Sequence, residues 1–289
     1  VKLLIIGHSV VDHIYYENEK RTNPGGIYYS SIGFNAVKQL DDELVLLTSF
    51  SEIDYKYFQK LYSKFNLNYA NKLLAIPHVN LYLDGSVERK EHYKNLIGPL
   101  TVPAEINFET FEGIFINMIT GYDLQPEQFI ELRKKYNGTI YLDVHTLSRG
   151  VGKDNHRFFR KIPDYEKYMQ SVDIVQVNKQ ELKTITPFDE KEKILKNVFE
   201  LGVKILLVTK GEEGAEINLN DGKYYSVEAL KVNSINKIGC GDVFGSVFFY
   251  SYLSGLKIEE SLRKANYAAG IITTYTTEEE FLNLKNDII

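Results

Sequence analysis

Residues 235–249 read INKIGCGDVFGSVFF. Two glycines flank Cys240, Asp242 follows at once, and a nearly unbroken apolar run comes next. That run predicts a core helix over 241–254, with Gly255 as its left-handed C-terminal residue. One reading of Asp242 is structural, because an acid in the first turn is favoured by the positive end of the helix dipole. The other is chemical. A glycine-rich turn feeding a helix start presents backbone N–H groups to an anion, and a carboxylate beside it can accept a proton.

Upstream of this stretch, strand-like and helix-like segments alternate. LLIIG (3–7), ELVLLTSF (43–50), IFINMI (114–119), TIYLDVH (139–145), DIVQVN (173–178) and VKILLVTKG (203–211) read as strands. They are apolar on both faces, as a parallel sheet covered by helices requires. Helices are predicted over 30–40, 55–65, 126–136, from 179 to about 201, and over 259–275. EGAEINL (213–219) and KYYSVEAL (223–230) read as a hairpin turned at Asp221-Gly222. Such repeated strand–helix–strand units predict a three-layer α/β/α sandwich with a mainly parallel sheet, in a single domain over 1–289. Two segments break the rhythm: IYYENEKRTNP (14–24), and a stretch over about 80–97 with a two-residue turn signal at Asp84-Gly85. Both read as a small strand-rich lid over the main sheet. The alternative is two ordinary surface excursions.

The chain has 289 residues, 44% hydrophobic and 25% charged, an ordinary globular composition. A net charge of −5 and a pI near 5.8 argue against an electrostatic grip on nucleic acid or an anionic membrane. No apolar run approaches the ~18 residues that span a bilayer. VKLLIIGHSVVDHI at the start lacks a basic leader region and reads as a first strand. One cysteine excludes an internal disulfide and a cysteine-cluster metal site, and the expected compartment is cytoplasmic. The six histidines lack the spacing of a zinc site.

The glycine motifs exclude two nucleotide signatures. No G-x-x-x-x-G-K-[ST] is present, and GHSVVD rather than G-x-G-x-x-G follows the first strand. What remains is Gly239-Cys240-Gly241-Asp242. Its amides would stabilise charge on a transferring phosphoryl group, and Asp242 would take the proton of an attacking hydroxyl. Cys240 reads as a packing residue, with no histidine near it in sequence to activate a thiol.

Together with the following FYSYLSGLKIEESLRKANYAAGI, this stretch resembles the C-terminal signature of the ribokinase-like, or PfkB, carbohydrate kinases. Three earlier features agree in order: LLIIGHSVVDHI, NPGGIYYSSIGFNA, and VNKQEL followed by VTKGEEGA. The resemblance implies an ATP-dependent kinase that moves the γ-phosphate to a hydroxyl of a sugar or cyclitol. Asp242 would be the catalytic base, and the amides of Gly239, Cys240 and Gly241 the anion hole. Asn178 and Glu181 would hold the Mg²⁺-bound phosphates, with Glu181 reaching the metal through water. The structural alternative for this pair is an N-x-x-E capping box. Thr209, Lys210, Gly211 and Gly214 would line the ATP site, with Asn266 near the adenine. Asp12, Gly25, Gly26 and Ser30 would meet the small polyol, and the lid would exclude water.

The departures from the family pattern carry information. Asn236-Lys237 stands where the family has Asp-Thr, which puts a monovalent cation in doubt, and the ammonium of Lys237 is the candidate substitute. Ser30 stands where Asn is common. GHSVVD, PGGIYYSS and DVHTLSR resemble the myo-inositol kinase branch, which would set Asp143 and Arg149 at the site rim, Arg149 as a phosphate clamp. Two other readings stay open: a nucleoside kinase using Tyr28-Tyr29 to stack on a base, and a catalytically silent ligand-binding relative. Lid tyrosines 15, 16 and 82 offer a strand edge for a homodimer.

Overall fold

The computed structural model describes residues 1–16, 19–83 and 90–288. The Asp84-Gly85 turn lies outside the described residues. From the N-terminus, strand β1 (Lys2–Ile6) is followed by β2 (Ser9–Tyr16), β3 (Glu19–Gly26) and helix α1 (Ile27–Val37). Next come β4 (Glu43–Leu47), β5 (Ser49–Ser51), α2 (Gln59–Tyr62), β6 (Asn71–Leu73), β7 (His78–Leu83) and β8 (Lys90–Tyr93). The middle of the chain holds β9 (Gly113–Asn117), α3 (Pro126–Lys135), β10 (Thr139–Asp143), β11 (Arg149–Val151), β12 (Arg157–Phe159) and α4 (Tyr165–Met169). The last part holds β13 (Ile174–Asn178), α5 (Lys191–Glu200), β14 (Ile205–Thr209), β15 (Ala215–Leu219) and β16 (Tyr224–Val227). It closes with α6 (Cys240–Leu253), α7 (Ile258–Ile272) and α8 (Glu278–Leu282).

The main sheet runs β16-β15-β14-β13-β10-β9-β1-β4. Its strands are parallel from β14 to β4, and the β15–β16 hairpin adds the antiparallel edge. Alternate residues divide between two cores. Leu3 and Ile5 of β1 face one, and Leu4 and Ile6 face the other. The first core is covered by α1, α6 and α7, the second by α3, α4 and α5. This is the three-layer sandwich.

Helices α1 and α6 are buried on nearly every face, which explains why neither shows a polar stripe in the sequence. They cross so closely that a Cβ on Gly33 would stand 2.0 Å from Ser246 Oγ. Beneath them Phe115 stacks on Tyr141 with ring centroids 4.8 Å apart, and Phe249 packs on both rings. Truncating a buried ring of this kind costs about 3–5 kcal/mol.

Several boundaries differ from the sequence reading. Helix α1 starts three residues earlier than expected, because Gly26 (φ 66°) makes the turn and frees Ile27 to begin the helix. The segment 55–65 holds a 3₁₀ turn and only four α-helical residues. The expected helix after 178 is a 3₁₀ turn, Glu181–Thr184, and then α5. The second sheet, β3-β2-β7-β8, is longer than expected at its near end, since β2 begins at Ser9. Asp12 therefore lies within β2, not on the first strand of the main sheet. The β11–β12 hairpin was not anticipated, and a bridge from His92 to His156 ties it to the second sheet. No helix among the described residues is long and apolar enough to cross a membrane.

Candidate active site

A polar row crosses the otherwise apolar main sheet. Asn117 ends β9, Asp143 ends β10, and Gln176 lies on β13; register pairs Asn117 with Asp143 and Asp143 with Gln176. All three share the sheet face that α6 covers, because residues two positions before them, Phe115, Tyr141 and Ile174, belong to that core. The row lies at the C-terminal ends of parallel strands, where open α/β sheets bind ligands.

The start of α6 rests on this row. Asn117 Nδ2 donates to Asp242 Oδ1 at 2.6 Å and to Ser30 Oγ at 3.1 Å. Gln176 Nε2 donates to the Gly241 carbonyl at 3.0 Å and to Asp143 Oδ2 at 3.1 Å, while Tyr141 OH donates to Gln176 Oε1 at 2.5 Å. Gly245 leaves room for this clamp, since a Cβ there would stand 2.6 Å from Gln176 Oε1. Asp143 is fully enclosed, and burial, then the nearby Asp242 and Glu181 charges, raise its carboxyl well above the usual range.

Asp242 and Gly239 open onto a cavity that is also lined by Asp12, Gly26, Tyr29, Glu91, Tyr93 and His145. Gly239 (φ 81°) precedes the helix, and a Cβ there would stand 2.3 Å from the Tyr29 ring. The first amides of a helix have no intrahelical acceptor, and Gly239 and Asp242, which bracket those of α6, line this space. Cys240 is half-buried. Gly25 backs the Asp12 carboxylate so tightly that a Cβ would fall 2.2 Å from Asp12 Oδ2. Of the catalytic and acceptor-side residues expected from sequence, Asp12, Gly26, Gly239 and Asp242 line the cavity, and Gly25, Ser30, Arg149, Cys240 and Gly241 do not. Ser30 is fully buried behind Asp242 and does not line the cavity. Arg149 stands behind Glu91, at 4.0 Å, with its guanidinium over the Phe159 ring.

The donor-side residues gather at the neighbouring strand ends. Asn178 and Thr209 are register partners closing β13 and β14. Asn178 Oδ1 accepts from the Glu181 amide at 2.9 Å, and Glu181 Oε2 accepts from the Asn178 amide at 2.8 Å. The capping-box alternative is therefore present in the fold. Gly211 and Gly214 adopt positive φ around a 3₁₀ turn. Three lysines surround that turn, each on a glutamate: Lys210 on Glu216, Lys237 on Glu212 and Lys179 on Glu213. Lys237 is two-thirds exposed. Asn236 closes a local turn, accepting from the Ile238 amide at 2.9 Å. Asn266 donates to the Glu228 carbonyl at 2.9 Å.

Asn117, Gln176 and Glu91 were not singled out from the sequence. A signal for the first two exists: each is a polar residue on the α6-facing side of an apolar strand. Of the tyrosine pair, Tyr29 reaches the cavity. Tyr28 packs against Phe58 and Tyr62 and donates to Glu278 Oε1 at 3.3 Å.

Residues 154–282, which include α6, match the family described as pfkB family carbohydrate kinase. An uncharacterized sugar kinase of Archaeoglobus fulgidus is 31% identical over 121 residues, covering 42% of this chain and 48% of that one. A 5-dehydro-2-deoxygluconokinase of Clostridium botulinum (strain Alaska E43) is 25% identical over 208 residues, covering 67% of this chain and 60% of that one. The match thus spans less than two thirds of either relative. A solved pyrophosphate-dependent kinase in the ribokinase family, complexed with a pyrophosphate analog and myo-inositol, superposes with a TM-score of 0.82 at 16% identity, covering all of both chains. The fold is ribokinase-like, an α/β sandwich with a mostly parallel sheet. Residues 154–282 carry a PfkB family carbohydrate kinase domain.

Proposed function

We propose that the protein is a kinase that transfers a phosphoryl group to a hydroxyl of a sugar or cyclitol. One observation carries this reading: Asp242, at the N-terminus of α6, opens onto the same cavity as Asp12 and Gly26. An acceptor hydroxyl between them faces both a proton acceptor and the positive end of a helix. As the new O–P bond forms and the donor's bridging P–O bond breaks, the hydroxyl proton passes to Asp242. An ionised carboxylate is a weak base, so this transfer comes late. The Gly239–Gly241 amides receive the charge on the moving phosphoryl group. The second sheet acts as the lid that keeps water out, since two of its strands, β2 and β7, line the cavity with apolar side chains.

The donor in this reading is ATP, lying along Asn178, Thr209, Lys210, Gly211 and Gly214. Mg²⁺ suits the local charge. Burial, then the charges of Asp242 and Glu181, raise the proton affinity of Asp143, and a hard cation with oxygen ligands nearby would offset that repulsion. Glu181 would hold it through water, and the bound ion would neutralise donor phosphate charge. Among the described residues no cluster of three metal-ligating side chains exists, so the donor's phosphates would supply part of its coordination.

A second donor, pyrophosphate, is favoured by the segment after β16. It lies on α7 where the adenine reading needs space: a Cβ on Gly270 would stand 2.7 Å from Leu230 Cβ, and the Asn266 amide is already engaged by Glu228. Assays with each donor across a panel of sugars, cyclitols and nucleosides separate these readings from the nucleoside kinase. Asp242→Asn is expected to keep the melting temperature and lower kcat by about 10³-fold. Near-normal turnover by that variant would remove Asp242 as the base. A wild-type protein that turns over neither donor would favour the silent ligand-binding relative.

A further inference from the structure

The β11–β12 hairpin stands on the scaffold and ends against the second sheet. Its base follows β10 after a single 3₁₀ turn, His145–Ser148. There the Arg160 amide donates to the Ser148 carbonyl at 2.9 Å, and the Ile162 amide to the Thr184 carbonyl at 2.9 Å. At its far end the hairpin meets β8, the edge strand of the second sheet. His156 bridges His92, and the Tyr93 amide donates to the Asn155 carbonyl at 3.3 Å. One short hairpin thus touches both the main body and the part that covers the cavity.

Arg157, on β12, reaches from the hairpin to the scaffold. Its guanidinium lies 4.5 Å from the centroid of the Tyr93 ring and 5.7 Å from that of Tyr122, and its Nη2 donates to the Thr120 carbonyl. Tyr93 belongs to the second sheet, whereas Thr120 and Tyr122 follow β9 of the main sheet. The cation is therefore shared between a ring of the lid and a ring of the scaffold. Thr120 is a firm anchor. Its amide and hydroxyl donate to Asp123 Oδ2 at 2.8 and 3.0 Å, and Asp123 Oδ1 accepts from the His8 amide at 2.8 Å. A second tie runs beside the first, from the Tyr93 hydroxyl to the Ile119 carbonyl at 3.1 Å. Tyr93 and Ile119 both line the cavity, so these ties set where that wall stands.

We propose that the β11–β12 hairpin is a strap fastening the second sheet to the end of β9, with Arg157 as its latch and a positioning residue for the cavity wall. The latch is reversible. Nε and Nη1 of Arg157 are buried with no hydrogen-bond acceptor among the described residues. A guanidinium so held keeps part of its desolvation cost, and opening the strap returns those groups to water. The strap itself does not depend on the kinase reading; its effect on turnover does. In that reading a loosened strap admits water as a competing phosphoryl acceptor.

The test uses the full chain and Arg157→Met, which keeps the apolar stem and removes the cation. Amide hydrogen exchange is read over 78–83 and 90–93, and over 113–117 and 139–143 of the main sheet for reference. The variant is expected to exchange about tenfold faster in the first two segments and at the wild-type rate in the reference segments. With ATP and with pyrophosphate, its ratio of donor hydrolysis to acceptor phosphorylation is expected to rise about tenfold. A residue that only stabilised the fold would lower both rates and leave their ratio alone. Tyr122→Leu removes the scaffold ring of the clamp and is expected to move both readouts the same way by about threefold. Unchanged exchange in a folded Arg157→Met protein would overturn the strap, as would acceleration spread equally over the reference segments. Faster exchange with an unchanged hydrolysis ratio would overturn the positioning role. If Arg157→Met does not fold, Tyr122→Leu decides by the same criteria. If the wild type phosphorylates no acceptor from either donor, the kinase reading fails and exchange alone decides the strap.

Discussion

The two halves of the site are built differently. On the acceptor side, Asp12, Glu91 and Asp242 are buried, Asp242 is held by a fully enclosed asparagine, and Gly25 and Gly239 leave no room for a Cβ. On the donor side, lysines 179 and 237 make exposed ion pairs with glutamates. An enclosed half loses little freedom when its ligand binds, because its geometry is already set. An exposed half of paired charges must exchange partners when phosphates arrive, and its pairs contribute little on their own. In the proposed reading, fidelity toward the acceptor rests on packing, and recognition of the donor on exchangeable charge.

Breaking the enclosed half has the larger consequences. Gly25→Ala drives a methyl into the Asp12 carboxylate, and the acceptor KM is expected to rise by roughly 100-fold. Steady-state kinetics with the donor saturating checks this, and an unchanged KM would detach Asp12 from the acceptor. Asn117→Ala removes a donor from the ionised form of Asp242, so kcat falls by about tenfold or more. The same loss raises the pKa of the base, and the acid limb of the kcat–pH profile moves to higher pH. A variant that only loosens the fold would lower kcat without moving that limb.

Asp143→Asn probes the floor of the same half through stability. The folded state holds a proton on Asp143 that the unfolded chain releases above about pH 3.9. Stability is thus lost as pH rises beyond that value. The variant escapes the loss, and its melting temperature exceeds that of the wild type at pH 8 by more than at pH 5. A constant difference across that range would place the proton elsewhere. The smallest effect is expected on the exposed half. Lys237→Ala breaks a surface pair and is expected to change the donor KM by less than about threefold. If the ammonium replaces a monovalent ion, the variant alone will gain activity with potassium. Potassium dependence in the intact protein would sink that idea.

What could be read in the sequence was whatever is local in the chain. The apolar strand runs, the hairpin at Asp221-Gly222, and the glycines that open and close α6 each declare themselves within a few residues, because backbone conformation and burial act at that range. The polar row was not legible. Asn117, Asp143 and Gln176 are far apart in sequence, and only the register of β9, β10 and β13 makes them one feature. Glu91 escaped for a similar reason: in the sequence it sits among charged residues, as a solvated turn would. The start of β2 was missed because Val10-Val11-Asp12-His13 does not alternate. Both of its faces are covered, so polar Ser9 and Asp12 are as buried as their apolar neighbours. The Asn178–Glu181 pair remains doubly readable, since a cap and a phosphate site ask for the same residue types.

Only Gly7 and His8 separate β1, held between β9 and β4 in the main sheet, from β2, which carries Asp12. His8 is itself locked in place, its ring between Ser49 Oγ and the Gly98 carbonyl and its amide on Asp123. The strand proposed to hold the acceptor is therefore a continuation of the scaffold rather than an appendage hung from it. Transplanting acceptor preference between such proteins would mean grafting 9–26 and 78–93 together, along with the joint that anchors them. A loop exchange would carry over the shape of the flap and leave its aim behind.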